Sequence, residues 1–276
     1  MTVPAAPTPL IAPEESVGFW RAPLFSRLPW LVHGVSKRGG GVSDGPFSSL
    51  NLGLHVGDAA ENVVENRQRA ASALGLDARQ LVCAEQVHES RVAVVTSGDA
   101  GRGARSFTDA VPGADALVTR AAGVPLALFF ADCAPVFVVD PVSRTVAVAH
   151  AGWRGLVGGV LENTLAVLVN EFGARPDDLL AAVGPCIRAC CFEVGLEVAA
   201  RFDPADVRRH GENGKPHVDL PGAAVRRLRA AGVRQGNVDV AHDCTACRPD
   251  RWFSHRRSDG GKTGRMGAFI ALREEE

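Results

Sequence analysis

Apolar residues in this chain occur mainly in short runs that end at glycine, proline or charged residues. Runs rich in valine, isoleucine, leucine and phenylalanine, bounded by turn residues, are typical of strands. The pattern predicts strands at Trp30–Gly34, Leu50–His55, Leu81–Ala84, Arg91–Val95, Ala116–Thr119, Leu126–Ala131, Val136–Asp140, Thr145–His150, Leu179–Val183, Asn237–Ala241 and Gly267–Leu272.

Fewer segments have the pattern of a helix, and they lie between the predicted strands. We predict helices at residues 59–74, 155–172, 193–202 and 221–231. Asp58 followed by Glu61 at the start of the first is the pattern of a capping box. Short strands mixed with helices, without regular βαβ alternation, predict an α+β domain with mixed β-sheets.

The first residues differ from the rest in composition. Residues 1–17 contain several prolines and no basic segment, so we predict a flexible tail that is neither a signal peptide nor a membrane anchor. No long linker and no repeat interrupts the remainder, and residues 18–276 are predicted to form one domain.

Composition narrows the class of protein. The chain is 46% hydrophobic and 22% charged, with a formal net charge of −1, which argues against nucleic-acid binding as its main function. No apolar run approaches the roughly 18 residues of a membrane span, so no membrane partner is expected. Seven cysteines in a chain of 276 residues favour reduced thiols and a cytoplasmic location.

Three polar residues follow or end predicted strands and are capable of chemistry. Cys133 comes after the run LALFFAD, His150 ends the run TVAVAH, and His88 lies in the segment QVH. Two imidazoles and a thiolate are ligands that zinc accepts, and three protein ligands leave a fourth position open for catalysis. Asp132, beside Cys133, is a candidate to orient a ligand or to carry a proton.

The separation of these residues along the chain is not diagnostic. His88 and Cys133 are 45 positions apart and Cys133 and His150 are 17 apart, which matches no local metal-binding pattern. The alternative is that His88 is a surface histidine and Cys133 a small buried apolar residue. Spacing by itself favours this simpler interpretation.

Two glycine-rich segments are candidates to bind an anion. Gly152-Trp153-Arg154-Gly155 follows His150 and begins a predicted helix, where glycines, free amides and Arg154 suit a phosphate. The segment 37–43, KRGGGVS, carries Arg38 and precedes Ser49-Leu50-Asn51, and it is neither a Walker loop nor a dinucleotide fingerprint. The alternative to anion binding in both segments is a turn that needs glycine only for its backbone geometry.

The remaining cysteines and a basic segment leave alternatives open. Cys244-x-x-Cys247, near His242, suggests a second zinc site or a redox pair, but a single C-x-x-C is weak evidence. Cys186, Cys190 and Cys191 form no standard pattern, and a structural or incidental role is favoured for all five. Arg256 and its neighbour Arg257 form either a solvated basic edge or the wall of an anion site.

Several motifs together resemble those of a known family. They are QVH, ADCxP, AHAGWRG, GPCI with FEVG, CT with FSxRR, and TGRM, and they extend from about His33 to Leu272. The chain is identified by them as similar to the YfiH/DUF152 family, also called multicopper polyphenol oxidoreductase or laccase-domain proteins.

The resemblance carries its own expectations. It implies a single α+β domain with mixed sheets flanked by helices, and it matches His88, Cys133 and His150 to the family's zinc ligands. It places Arg38 and Asn51 near the pocket. Members are credited with phosphorolysis of adenosine, inosine and methylthioadenosine, with adenosine deamination, with a copper-dependent laccase activity, and with correction of peptidoglycan precursors.

The residues and the family resemblance together suggest four functions. The leading hypothesis is a zinc-dependent purine nucleoside phosphorylase with adenosine deaminase activity, whose partners are a nucleoside and phosphate, the latter held by Arg38, Arg154 and Arg256. The second is a cysteine-type amide hydrolase with Cys133 as nucleophile, acting on peptidoglycan precursors. A copper-dependent polyphenol oxidase ranks third, because only eight histidines are present. A non-catalytic nucleoside sensor is the last.

Overall fold

Thirteen strands are present in the computed structural model, which describes residues 16–210 and 214–274. The predicted tail lies almost entirely outside the described residues. The strands are β1 Phe19–Trp20, β2 Leu31–Ser36, β3 Val82–Cys83, β4 Val92–Val94, β5 Ala116–Thr119, β6 Leu126–Phe130, β7 Ala134–Asp140, β8 Thr145–Ala151, β9 Leu180–Val183, β10 Val207–His210, β11 Lys215–Val218, β12 Val238–Val240 and β13 Met266–Leu272.

Five α-helices accompany the strands within the described residues. They are α1 Ala60–Ala73, α2 Trp153–Gly158, α3 Val160–Phe172, α4 Leu196–Ala199 and α5 Leu220–Ala230. No helix among these residues is both long and apolar enough to cross a bilayer.

The strands form two large sheets and one two-stranded ribbon. One sheet has five strands in the order β1-β2-β13-β6-β3, and the other has six in the order β12-β9-β7-β8-β5-β4. Each combines antiparallel pairs with parallel ones: β3 is parallel to β6, β4 to β5 and β12 to β9. The predicted α+β class with mixed sheets is confirmed.

The two sheets pack face to face, and helices cover their outer faces. Along β7, Phe137 and Val139 belong to the core between the sheets, whereas Val136 and Val138 pack in the core that contains residues of α3 and α5. This alternation follows from the two-residue period of a strand. Because both faces are buried, β6, β7 and β8 are apolar almost throughout.

Three predicted elements were wrong. Leu50–His55 is a loop rather than a strand: Leu50 and Leu52 are buried, but the Asn51 side chain accepts a hydrogen bond from the Gly53 amide and forms a turn. The predicted helix 155–172 is divided by Gly159, which has a left-handed φ of 87°. Of the predicted helix 193–202, only α4 is helical, and none of the residues of α4 is buried.

The predicted capping box of α1 is also absent. Ala59 is the N-cap and has no side-chain capping hydrogen bond. Asp58 instead accepts hydrogen bonds from Ser43 Oγ at 2.6 Å and Asn51 Nδ2 at 2.9 Å. Its carboxylate therefore ties together the two loops that precede the helix. The pattern also missed β1, β10 and β11, which are short and lie at sheet edges or in the separate ribbon.

Candidate metal centre and cavity

Three neighbouring strands, β5, β8 and β7, position two of the candidate ligands, Cys133 and His150. In the pairing of β7 with β8, Pro135 lies opposite His150 and Ala134 opposite Ala151, so Cys133 lies beside the start of α2. In the pairing of β5 with β8, Ala116 lies opposite Ala149, which places Asp115, the residue directly before β5, next to His150. The order of these strands in the sheet, with β8 between β7 and β5, explains why residues far apart in sequence meet at one sheet edge.

The ligand atoms of His88, Cys133 and His150 all lie within 4.8 Å of one another. His150 is buried, Cys133 is half-buried and His88 is exposed. The two imidazole rings meet edge to face, with centroids 4.7 Å apart. Two imidazoles and one thiolate at this separation fit a single metal ion such as zinc, with one side of the set open.

Asp115 organises this group, and sequence analysis missed it. Its carboxylate accepts hydrogen bonds from the backbone amides of Val87, His88 and Glu89 at 2.8–3.1 Å. It also contacts His150 Nδ1 at 2.7 Å. Three amides converging on one carboxylate hold His88 at its unusual φ of 63°. An aspartate directly before a buried strand was the available signal.

The same contacts set the protonation of the group in the metal-free protein. Burial raises the pKa of Cys133, but the positive charge of His150 and hydrogen bonds from His150 and His88 outweigh it and bring the pKa to about 6. Burial lowers the pKa of His150, but Cys133 and Asp115 raise it to about 9. A thiolate beside an imidazolium is therefore the favoured state at neutral pH.

Gly152 is required by the close approach of α2 to Cys133. A Cβ atom at this position would lie 2.7 Å from Cys133 Sγ and 3.7 Å from His88 Cδ2. No side chain fits there without displacing a ligand. This gives a geometric reason for glycine in the GWRG turn.

The three residues open into a cavity of about 470 Å³. This volume lies within the roughly 300–1,000 Å³ usual for small-molecule sites. The lining combines cationic, polar and aromatic side chains: His55, Gln86, His88, Phe129, Ala131, Asp132, Cys133, His150, Trp153, Arg154, Ile187, Phe192, Leu220, His255, Arg256 and Arg265.

Two of the four predicted substrate-binding residues line this cavity. Arg154 is exposed and its guanidinium lies over the Trp153 ring, 4.5 Å from the centroid. Arg256 donates to the Glu193 carbonyl at 2.7 Å and lies over the Phe192 ring. The structure thus places both near the candidate ligands.

Arg38 and Asn51 are not among the lining residues of this cavity. The Arg38 guanidinium is buried and donates to the carbonyls of Ser48 and Pro249 at 2.7 Å. Asn51 Oδ1 accepts from the Arg265 amide at 2.9 Å. Arg38 therefore joins two loops, and Asn51 positions Arg265, a lining cation that sequence analysis did not select.

Asp132 lines the cavity, but its carboxylate is already engaged. Oδ1 accepts from Thr245 Oγ1 at 2.6 Å and Oδ2 accepts from the Arg256 amide at 2.7 Å. Asp132 has a left-handed φ of 85°, next to Cys133 in the chain. These contacts suit a positioning residue better than a proton carrier.

A family model described as multi-copper polyphenol oxidoreductase laccase matches residues 32–273. The chain belongs to this family. The chain is 42% identical over 275 residues to "Purine nucleoside phosphorylase YlmD" of Geobacillus stearothermophilus, an alignment that covers 97% of this chain and 99% of that protein. It is 39% identical over 217 residues to "Adenosine deaminase RL5" of an unknown prokaryotic organism, covering 76% and 82% respectively.

The family's fold is shared as well. The crystal structure of YlmD from Geobacillus stearothermophilus superposes with a TM-score of 0.88 at 42% identity and covers 95% of this chain and 98% of that chain. The resemblance derived from the motifs is therefore confirmed. The relatives are named as enzymes, and the ligand set in the shared fold points to a metal.

Proposed function

We propose that this protein is a zinc-dependent purine nucleoside phosphorylase that also deaminates adenosine. The observation that carries the proposal is the convergence of His88, Cys133 and His150 in the lining of a cavity that is also lined by arginines. The names of the relatives, purine nucleoside phosphorylase and adenosine deaminase, support the choice of substrate.

The three ligands suit zinc because it accepts imidazole nitrogen and thiolate sulfur. When bound, zinc supplies a Lewis acid that polarises a substrate oxygen or lowers the pKa of a bound water. Asp115 fixes the His150 ring and the His88 backbone through the contacts described above. Carboxylate partners of this kind orient metal-binding histidines in many zinc proteins.

The cationic side chains that line the cavity are proposed to bind phosphate. Arg154 is exposed at the cavity, and Arg265 lies on another part of its lining. Guanidinium groups bind phosphate through paired hydrogen bonds. The guanidinium groups of Arg256 and Arg265 each donate through Nη1 to two backbone carbonyls, which fixes their orientation. Arg154 is therefore the first proposed phosphate ligand, with Arg256 and Arg265 as further cations of the same lining.

The purine is expected to lie against the aromatic part of the lining. Phe129, Trp153 and Phe192 provide apolar surface for a planar base. Gln86 presents an amide to the same space, but both of its polar atoms bond to the Phe129 backbone. Base recognition is therefore proposed to depend more on stacking than on Gln86.

Incubation with adenosine or inosine, with and without phosphate, tests the reaction. Phosphorolysis joins the ribose C1′ to a phosphate oxygen and breaks its bond to the base nitrogen. We expect free base and ribose 1-phosphate only when phosphate is present, and inosine or hypoxanthine from adenosine. Protein that releases no base with phosphate present is not a phosphorylase.

A cysteine-type amide hydrolase is a second candidate, favoured by one observation. Cys133, His150 and Asp115 form a thiol–imidazole–carboxylate series in which the thiol pKa is about 6. Such a series activates a thiolate for attack on a carbonyl. An amide of a peptidoglycan precursor is the corresponding substrate.

The two candidates compete for one sulfur, because a thiolate bound to zinc is a poor free nucleophile. Zinc loading should raise phosphorolysis and protect Cys133 from iodoacetamide. Chelation should have the reverse effect on both. An amide hydrolase would instead gain activity on chelation.

Polyphenol oxidation ranks lower, since His88, Cys133 and His150 are the only histidine-containing group of three or more ligands among the described residues.

A further inference from the structure

Four cysteines away from the cavity's metal ligands form a second group. The sulfurs of Cys190, Cys191, Cys244 and Cys247 all lie within 4.8 Å of one another. Cys247 Sγ is 3.3 Å from Cys191 Sγ and 3.6 Å from Cys190 Sγ. We call these residues the four-cysteine cluster. Its members come from two loops separated by more than fifty positions in the chain.

The fold brings these loops together at one sheet edge. β9 and β12 are parallel neighbours, so the loops that follow them leave the sheet side by side. A parallel bridge pairs Cys186 with Cys244, and the Thr245 amide donates to the Cys186 carbonyl at 3.1 Å. The sulfur positions are therefore set by backbone pairing and do not depend on the cysteines alone.

Each loop turns tightly at its cysteine pair. The Arg188 carbonyl accepts hydrogen bonds from the amides of Cys191 and Phe192, both at 2.9 Å. The Cys244 carbonyl accepts from the amides of Cys247 and Arg248 at 3.2 and 3.1 Å. In both loops the turn directs two cysteine side chains toward the same point.

The separations suit a metal better than a disulfide. Zinc–sulfur bonds of about 2.3 Å in a tetrahedron place sulfurs about 3.8 Å apart, whereas a disulfide requires about 2.05 Å. The Cys244-x-x-Cys247 spacing is also one that structural zinc sites use.

We propose that the four-cysteine cluster is a structural zinc site. All four ligands come from the protein, so the coordination is complete and leaves no position for a substrate. Thiols that bind zinc release their protons to solvent, leaving four thiolates on the ion. An ion bound there would take no direct part in the reaction that the cavity performs.

The proposed ion joins the two loops that form one wall of the cavity. Ile187 and Phe192 of the first loop and Arg256 beyond the second line the cavity. The Arg256 guanidinium bonds to the Cys191 carbonyl, and its amide bonds to Asp132 beside Cys133. Zinc in the cluster would therefore hold the wall against the catalytic ligands.

Zinc content of the intact protein tests the proposal. We expect two zinc ions per chain in protein made with zinc and without chelator, measured by native mass spectrometry and elemental analysis. The variant His88→Ala/His150→Ala should keep one zinc, and Cys190→Ser/Cys247→Ser should also keep one. Cys83→Ala, a buried cysteine outside both groups, should keep two.

Two outcomes overturn the proposal. One is a His88→Ala/His150→Ala protein that is folded and holds no zinc. The other is a Cys191–Cys247 disulfide in protein prepared under reducing conditions. Neither result bears on phosphorylase activity, so the two proposals fail separately.

Cobalt provides a readout that does not need the cysteine variant to fold. Cobalt(II) added to the metal-free His88→Ala/His150→Ala protein should produce the strong sulfur-to-cobalt charge-transfer absorption of several thiolates in a tetrahedral field. Titration should saturate at one equivalent. Absence of that absorption in folded protein would contradict a tetrathiolate site.

Discussion

The candidate metal ligands of the cavity and the four-cysteine cluster differ in how the chain supplies them. Cys133 directly precedes β7, His150 lies near the end of β8, and His88 lies in the loop between β3 and β4. The buried Asp115 carboxylate bonds to the His88 amide and to the His150 ring. The cluster uses sulfurs only, from two turns that are partly exposed. The first set is mixed and incomplete, and the second is uniform and complete.

This difference indicates different tasks. An ion with three protein ligands and a cavity of about 470 Å³ beside it has room for a substrate. An ion enclosed by the four thiolates of the cluster would have no such room and would serve as a crosslink. The ligand number and the adjoining space, more than the residue types, separate a catalytic centre from a structural one.

Removal of Cys133 should have the largest effect and should separate the two sites. Cys133→Ala deletes one of three ligands, so zinc binding at the cavity should be lost. Loss of several kcal/mol of Lewis-acid stabilisation corresponds to about 1,000-fold in rate. Phosphorolysis assays with zinc analysis should show this loss of turnover together with one retained zinc.

The matched control is Cys83→Ala, which removes a buried sulfur on β3. It should retain turnover and both zinc ions. Retained turnover in Cys133→Ala would contradict a catalytic role for this ligand, and retained adenosine affinity without turnover is expected of an enzyme with an intact cavity.

Asp115→Asn should have the next largest effect. The asparagine keeps the shape but removes the charge that holds the His88 backbone amides and His150. Loss of such a partner usually weakens metal affinity or activity by about 10- to 100-fold. Competition with a chromophoric chelator measures the affinity of the cavity site.

Asp140→Asn provides the comparison for Asp115. Asp140 is equally buried, at the other end of β7, and bonds to Ser143 Oγ at 2.6 Å. This variant should lose stability without losing zinc affinity. Equal losses of zinc in the two variants would mean that Asp115 acts only through general stability.

Gly152→Ala should have a smaller effect, confined to the cavity site. Its Cβ would lie 2.7 Å from Cys133 Sγ, so either the sulfur or α2 must shift. Overpacking of this kind typically costs about 1–3 kcal/mol. Gly158→Ala is the control, because its Cβ would approach Ser90 no closer than 3.6 Å. Thermal unfolding and zinc content should change in the first variant only.

Much of the fold was predictable because its strands are buried on both faces. β5 matched its predicted bounds, and β6, β7, β8 and β13 differed by only one or two residues. The errors in the predicted elements occur where a single residue interrupts the regular backbone pattern. At Asn51 a side-chain turn overrides the alternation of Leu50 and Leu52, and at Gly159 a left-handed residue interrupts a continuous helical pattern.

The site was predictable only in part. Residues that end apolar runs, such as Cys133 and His150, are visible in sequence, but His88 needed the family resemblance. Asp115 and Arg265 were missed because their roles depend on strand register and on a contact from Asn51. Only the Cys244-x-x-Cys247 half of the four-cysteine cluster was visible as a possible zinc site in the sequence, because Cys190 and Cys191 join it through the parallel pairing of β9 with β12.

The smallest expected change in rate concerns thiol reactivity in the metal-free protein. Cys133 has a pKa of about 6, so its thiolate is present above that pH and is lost as the pH falls through it. At pH 7 the thiolate fraction is about 30-fold above that of an ordinary thiol, but lower basicity reduces its nucleophilicity about 13-fold. The net gain in alkylation rate is therefore only about two-fold.

The pH midpoint is the sharper measurement, and it compares the two sites directly. Burial and the sulfurs of Cys247 and Cys244 raise the pKa of Cys190 to about 11. Iodoacetamide labelling read by peptide mass spectrometry should rise through about pH 6 at Cys133, and at Cys190 only in strongly alkaline solution. His150→Ala should move the Cys133 midpoint upward, because the imidazolium that stabilises the thiolate is gone. A Cys133 midpoint that His150→Ala leaves unchanged would show that His150 does not stabilise this thiolate.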